Sequence, residues 1–405
     1  MGSSTRRCFL KRACTSTLVS VVGLAGCATT PAPIDGVSGS WRTYHADDRN
    51  TGHVSDPGPR QGAVEHWRVE LDEQVGTPPV VAGDTLYLVG SGKARALSLA
   101  TGERRWDLTF SETESWDHNL NALALADDSL LHLAPTGSVR CLDVEMESLR
   151  WEASDGFHSG PSATAIVGSV ALVVNGAVTG YDLTDGTERW RLETEGATGP
   201  LVVEDGTVFF TDIDDGVRAI DAETGTERSH YPIDGISSYS GLSLSNGTLY
   251  VSTGEIHGPQ GGVVAVDVET GDRLWAVHGA DRVYSTPTVA DDVVYVTDSR
   301  ENVSAFDART GELRWSIGLY PWWESHGFFS PNSLDGPIVT GDTLYAIDGE
   351  SMHALELGTE HDNLADRRRY QIDSSRLWAA PIVVDRFAYL LESRGERLVA
   401  LGPTA

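Results

Sequence analysis

From residue 77 onward one pattern recurs every 39 to 49 residues, and a chain built that way must fold as like units that complete one another. The clearest part is a strand, a turn and a tryptophan: ARALSLATGERRW (94–106), VTGYDLTDGTERW (178–190), VVAVDVETGDRLW (263–275) and VSAFDARTGELRW (303–315). VRCLDVEMESLRW (139–151) and VRAIDAETGTERS (217–229) are the same unit with one element changed in each. A tight antiparallel connection needs a residue at positive φ, which the glycine of the Thr-Gly or Asp-Gly pair supplies without Cβ strain. A small residue recurs ahead of the acidic position: Ala96, Cys141, Gly180, Ala219, Ala265, Ala305, Ala354 and Ala400. Those eight positions imply eight units.

Upstream of each string lies a strand of large apolar residues, such as DTLYLVG (84–90), GTLYVST (247–253) and DVVYVTD (292–298). Before that comes a strand of smaller residues, often opened by proline, as in TPPVVA, GPLVVE and STPTVA. No segment has a helical apolar period long enough to compete. Four strands in about 40 residues read as a propeller blade, because one small twisted sheet cannot bury both faces until it stacks on its neighbours. The expectation is an all-β, eight-bladed β-propeller of four-stranded antiparallel blades. Small first strands suit the crowded axis, and tryptophan suits an outer strand that covers the junction with the next blade. Only residues 402–405 follow the last triplet (380–401), whereas VEHWRVEL (64–71) carries the tryptophan-strand pattern ahead of the first. That N-terminal segment is therefore expected to pair as the outer strand of the last blade and close the ring.

The unit resembles the pyrroloquinoline-quinone-like (PQQ-like) repeat, which is shared by quinoprotein dehydrogenases and by a non-enzymatic propeller lipoprotein of the outer-membrane assembly machinery. The resemblance runs from about Trp41 to the C-terminus and includes WRTYHADDRNTG (41–52), which looks like the family's entry segment. It implies the fold more strongly than any activity, since one such fold hosts many tasks. Family members that oxidise alcohols usually pair adjacent cysteines near the quinone and hold calcium with a Glu, Asn and Asp set. This chain has no adjacent cysteines, so neither PQQ nor calcium is expected and no catalytic residue is assigned.

The first residues read as a targeting segment. TRRCFLK (5–11), with Arg6 and Arg7, resembles a twin-arginine export signal, and LAGC (24–27) resembles a lipobox whose Cys27 thiol takes a diacylglyceryl chain. Residues 1–27 are thus expected to be a signal peptide, 28–62 a linker and entry segment, and 63–405 the propeller. The apolar run is far short of the roughly 20 residues that span a bilayer, so attachment to the outer face of the cell membrane is expected through lipid. Only Cys27 and Cys141 remain after processing, and Cys141 occupies a small-residue position of the repeat, which suits a core hydrophobe.

The chain carries 59 acidic against 30 basic residues, a net charge of −29, and its only lysines are Lys11 and Lys93. Such a surface repels nucleic acid at low ionic strength, while molar salt shortens the Debye length to about 3 Å and removes much of the self-repulsion. The composition resembles that of haloarchaeal proteins, which have no outer membrane for an assembly factor to serve.

Twelve histidines form no His-x-His or His-x-x-x-His pair, and no Gly-x-Ser-x-Gly elbow or phosphate loop occurs. His118, His158, His230, His278 and His326 each fall between an outer strand and the next inner strand, hence around one mouth of a propeller. There they could bind a metal or an anion, with Asp155 nearby. IGLYPWWESHGFFSPNSL (317–334) brings Trp322, Trp323 and Phe328 to the same face, either as an exposed platform or as a plug for the channel. Asn246 and Asn302 head sequons open to glycosylation on an exported chain. The reading that follows is a cell-surface lipoprotein whose propeller face binds a protein or small ligand without catalysis. The alternatives are a PQQ- or metal-dependent oxidoreductase and a polysaccharide-binding or -cleaving propeller.

Overall fold

The computed structural model describes residues 36–404 except 60–61, 91, 111–122, 135, 157–161, 214, 238–239, 255–260, 279–282, 284, 320–335, 348–350, 358–367, 374–376, 378 and 394. The described residues form 33 strands and no helix. Within each unit the strands pair antiparallel in chain order, as in Val80–Gly83, Thr85–Val89, Lys93–Ser98 and Arg104–Thr109. The strand Val64–Glu70 pairs antiparallel with Arg397–Gly402 of the last unit, Trp67 opposite Ala400.

The strands make seven hydrogen-bonded sheets, one fewer than the eight repeats read from the sequence, and one sheet has seven strands. Its cause is the 17-residue strand Glu188–Glu204, which pairs with Gly176–Asp182 of the third unit and with Thr207–Asp212 of the fourth. Elsewhere the outer strand of one unit and the inner strand of the next are separate strands. Here one strand runs from the third unit into the fourth, with a left-handed residue at Gly199 (φ 79°) and a register shift between Thr198 and Val202.

The recurring small residue has a steric reason. In most units the third strand places it directly between a large second-strand residue and the outer tryptophan, as in Tyr87–Ala96–Trp106, Tyr250–Ala265–Trp275 and Tyr295–Ala305–Trp315. The two rings then meet over it, with centroids 5.9 to 6.0 Å apart. At Gly180 a Cβ would sit 2.4 Å from the Trp190 ring, so even alanine is too large there. Immediately after the small residue the outer pairing slips, at Ala96/Leu97, Cys141/Leu142, Gly180/Tyr181, Ala219/Ile220, Ala265/Val266 and Ala305/Phe306. Such a bulge leaves one outer-strand residue unpaired and turns its side chain aside.

That bulged residue is arginine in several units, and it reaches the aspartate that opens the neighbouring turn: Arg150 to Asp143 at 2.6 Å, Arg189 to Asp182 at 2.6 Å and Arg314 to Asp307 at 2.8 Å. The same aspartates accept turn N–H groups with their other oxygen, as Asp307 does from Arg309 and Thr310. In the fifth unit the bulged position is Leu274, which stands about half exposed near Asp267 with no arginine to offer it.

Between units the tryptophan does the joining. The indole N–H donates to a main-chain carbonyl of the next unit: Trp67 to Leu99 (3.2 Å), Trp151 to Leu183 (2.8 Å), Trp190 to Ala222 (3.2 Å) and Trp275 to Ala308 (2.9 Å). Where Ser229 replaces it, the Tyr231 hydroxyl donates to the equivalent carbonyl of Val268 at 3.0 Å. The buried apolar clusters likewise lie between neighbours. One joins Val89 and Phe110 of the first unit to Leu125 and Leu130 of the second, and another joins the seventh, eighth and first through Tyr345, Tyr389 and Leu97.

Two predictions follow from this geometry. Gly311 and Gly271 occupy the same turn position with φ of +73° and +75°, but a Cβ at Gly311 would lie 2.7 Å from Trp275 whereas one at Gly271 meets nothing within 4 Å. Both alanine variants pay the left-handed strain of about 1–2 kcal/mol. Gly311→Ala must also displace a buried ring, so its denaturation midpoint in high salt falls well below that of Gly271→Ala; equal midpoints would contradict the packing described.

The second concerns acid. Arg314 beside Asp307 holds that carboxyl down to about 2, and Arg150, Arg189 and Arg228 depress Asp143, Asp182 and Asp221. Depressed carboxyls contribute stability that is complete above their unfolded value of about 3.9 and is lost as pH falls through the folded values. Carboxyl NMR titration should therefore find Asp307 near 2, returning toward about 4 in Arg314→Gln.

Candidate functional site

Antiparallel order puts the first and third turns of every unit on one face, called here the turn face. The second turn and the link to the next unit lie on the opposite, loop face. The segment expected to be a linker crosses the turn face and holds nearly every inner strand. Gly39–Trp41 pairs antiparallel with the first unit's inner strand, and His53–Val54 pairs parallel with Ile338–Thr340 of the seventh. Between them main-chain carbonyls accept from successive inner strands: Arg42 from Leu125, Asp48 from Val203, Arg49 from Leu244, Thr51 from Val289 and Gly52 from Val339, at 2.7 to 2.9 Å. Asp56 Oδ2 then accepts from the Asp385 N–H of the eighth unit at 2.7 Å. Among the described residues the third unit's inner strand, Ala163–Val167, takes no such bond.

Such a path requires an unusual backbone. His45, Ala46, Asn50 and Gly52 all have positive φ, at 59°, 82°, 53° and 62°. Asp47 braces the turn: its Oδ1 accepts from the N–H groups of Arg49 (2.9 Å) and Thr51 (3.0 Å), and its Oδ2 accepts from the Thr51 hydroxyl. The Asn50 amide donates to Leu201 O (2.9 Å) and Leu242 O (3.2 Å), which ties the fourth unit to the fifth.

Two rings lie inside this loop. Tyr44 faces Ala163 and Thr164 of the third unit across a small cavity, while its hydroxyl lies 3.2 Å from Thr286 Oγ1 of the sixth, so the side chain spans the axis. His45 stacks on it at 5.5 Å. The imidazole is buried, with Nδ1 2.9 Å from Asn50 O and Nε2 3.3 Å from both Pro337 O and Thr288 Oγ1. Burial lowers its pKa and favours the neutral ring. The cavity holds about 10 Å³, room for one water molecule, and Thr164 Oγ1 at its wall has no hydrogen-bond partner among the described residues. Burial and the neighbouring Asp47 raise the pKa of Asp48 on the same wall.

The candidate residues read from the sequence are only partly within view. His118, His158, Trp322, Trp323, His326 and Phe328 lie outside the described residues, as do Arg6, Arg7 and Cys27. His230 and His278 sit on the outer strands Glu227–Tyr231 and Arg273–His278 and not in the connections, because those strands extend further than the tryptophan pattern suggests. Both are exposed, and His230 Nε2 approaches Asp215 Oδ1 at 3.2 Å. Among the described residues no three His, Cys, Asp or Glu side chains are placed to hold a metal ion. Asp155 is committed to the chain itself: its Oδ1 accepts from Thr179 (2.9 Å), Tyr181 (2.8 Å) and Arg191 (2.8 Å). Cys141 is buried, and burial pushes its thiol up to about 11.

A model of the family described as outer membrane protein assembly factor BamB matches residues 42–154, 135–231 and 227–400. The chain belongs to this family of PQQ-like repeats. Its match begins beside the entry segment that fills the axis, and the family's β-propeller fold accounts for the four-stranded units. The curated relatives include the serine/threonine-protein kinase AfsK of Streptomyces griseus, 28% identical over 64% of this chain, of whose length the chain spans 32%. They also include the outer membrane protein assembly factor BamB of Shewanella oneidensis, 24% identical over 83% of this chain and 88% of that protein. Among solved structures, BamB from Moraxella catarrhalis superposes with a TM-score of 0.65 at 16% identity, covering 84% of this chain and all of that one. Quinohemoprotein alcohol dehydrogenase from Comamonas testosteroni superposes at 0.64 with 13% identity, covering 90% and 80%. Likeness at such identities establishes the fold and leaves activity open.

Within the BamB-like propeller Tyr44 and His45 pack at the turn-face end of the axis. Sequence reasoning missed those two residues because WRTYHADDRNTG matters through backbone carbonyls, which a side-chain pattern does not register. The available signal was the run of residues that tolerate positive φ, Asn50 and Gly52 among them. Asn50→Ala would leave the Leu201 and Leu242 carbonyls without their side-chain donor, at about 1–3 kcal/mol in a buried setting. A thermal midpoint unchanged from wild type in molar salt would show that the segment does not brace the inner strands.

Proposed function

We propose that this protein is an exported, lipid-anchored surface protein whose eight-bladed propeller binds a protein or small ligand on its loop face without catalysis. The observation that carries this reading is the entry segment. It seals the turn-face end of the axis with its own rings and fastens seven of the eight inner strands, a rigid support for a recognition surface on the opposite face. Eight blades are inferred by counting the seven-stranded sheet as two units that share Glu188–Glu204, with Val64–Glu70 completing the eighth. Export through Arg6 and Arg7 and lipidation of Cys27 place it on the outer face of the membrane. His230, His278 and the aromatic segment with Trp322, Trp323 and Phe328 are the residues assigned to the binding face.

The competing reading is a quinone- or metal-dependent oxidoreductase. Isolating the full chain from its own membranes in high salt, then assaying quinone, calcium and co-purifying proteins, separates the two. The scaffold reading expects a reproducible partner or ligand and quinone far below one per chain. Stoichiometric quinone with calcium would replace it by the oxidoreductase.

A further inference from the structure

We propose that Asn246, and not Asn302, carries an N-linked saccharide. This inference rests on the export reading above. The sequence offers two equal sequons, Asn246-Gly247-Thr248 and Asn302-Val303-Ser304, and the fold makes them unequal.

Asn302 is engaged. Its Nδ2 donates to both carboxylate oxygens of Asp298, at 3.1 and 2.8 Å, and its main-chain N–H donates to Asp298 Oδ1 at 2.9 Å. A charged acceptor holds an amide more strongly than water does. The residue is half-buried at the start of the strand Asn302–Asp307, so the nitrogen that would have to react is held by Asp298 across the turn.

Asn246 is presented. It is exposed at the tip of the turn between Leu242–Ser245 and Thr248–Gly254, where Ser245 pairs with Thr248. Its φ is 50°, followed by Gly247 at 73°, the pair of positive values that defines a two-residue hairpin turn. Its side chain makes no hydrogen bond among the described residues, and nothing stands within 4 Å of a Cβ built on Gly247. The equivalent residues Asp127, Asp205, Asp291 and Asp385 hold the same conformation, with φ of 47° to 55°, so this turn accepts an acid at four other sites and an amide here. A twin-arginine substrate crosses the membrane folded, which makes exposure in the folded state the deciding property.

The donor is a saccharide on a polyprenyl phosphate or pyrophosphate, and the catalyst is a membrane oligosaccharyltransferase. Asn246 Nδ2 forms the bond to the anomeric carbon and the anomeric C–O bond breaks. The lipid phosphate leaves with the electron pair, and the amide proton passes to a base of the transferase. The saccharide then projects from the turn face and leaves the loop face free for a partner.

The test uses full-length protein expressed in its own host, with wild type beside Asn246→Asp, Thr248→Ala and Asn302→Gln. Asn246→Asp keeps a residue that four sister turns already use, so loss of the fold does not confuse the result. Intact mass and glycopeptide analysis should show a saccharide on wild type and Asn302→Gln and none on the other two. Added protease on whole cells reports whether the chain is outside. Unmodified Asn246 on protease-accessible protein, or a saccharide on Asn302, overturns this inference alone. Unmodified Asn246 on protein shielded from protease overturns the export reading and this one with it.

Discussion

The fold depends on one contact, the outer tryptophan that in most units lies across a residue too small to obstruct it and that at Trp67, Trp151, Trp190 and Trp275 bonds to a carbonyl of the next unit. An isolated four-stranded sheet has two apolar faces and nothing to cover them. The buried clusters are all shared between successive units, so stability resides at the seams. Covering a large side chain there is worth about 1.5–3 kcal/mol, whereas an ion pair at the surface such as Arg189–Asp182 contributes little. Molar salt shifts the balance further toward the seams, because it screens surface pairs and strengthens apolar burial. Where the bulged residue is arginine, it therefore shapes the turn more than it stabilises the chain.

The exceptions support this ranking. At the fourth unit Ser229 removes the indole, and Tyr231, two residues on, supplies the missing donor to the same kind of carbonyl. The carbonyl is kept satisfied although the ring is not replaced, and the open space above Gly271 is the remaining consequence. In the second unit Met146 and Glu147 replace Thr-Gly, Glu147 adopts φ 53°, and Met146 is left largely exposed at the tip. A turn can lose its glycine or a seam its ring, provided the neighbouring unit still closes the main-chain hydrogen bonds.

Much of this was legible in the sequence because a repeat averages away the weakness of any single signal. The Thr-Gly turns, the small position at Ala96 and its equivalents, and the tryptophan strand at Val64–Glu70 all have side chains that announce their place. Three things were hidden. The passage of Glu188–Glu204 from one unit to the next could not be read, since an extended connection and a loop can share one composition. The bulge that aims Arg150, Arg189 and Arg314 is a property of pairing between strands, visible only once both are in register. The axial role of residues 41–52 rests on carbonyl groups common to every residue, and its only trace was a few positions that tolerate positive φ.

The axis also explains why resemblance of fold to both an assembly factor and a dehydrogenase leaves the chemistry open. A propeller creates two kinds of concave surface, the central channel and the mouth formed by its loops, and a cofactor enzyme must keep part of the channel clear. Here Tyr44 crosses from the third unit to the sixth, His45 stacks beside it, and beside them there is space for a single water. A buried neutral imidazole with carbonyl oxygens near both nitrogens holds a loop in shape; it has no exchangeable position for a ligand. The residues that close the channel also tie the inner strands together, so clearing it would cost the ring its brace.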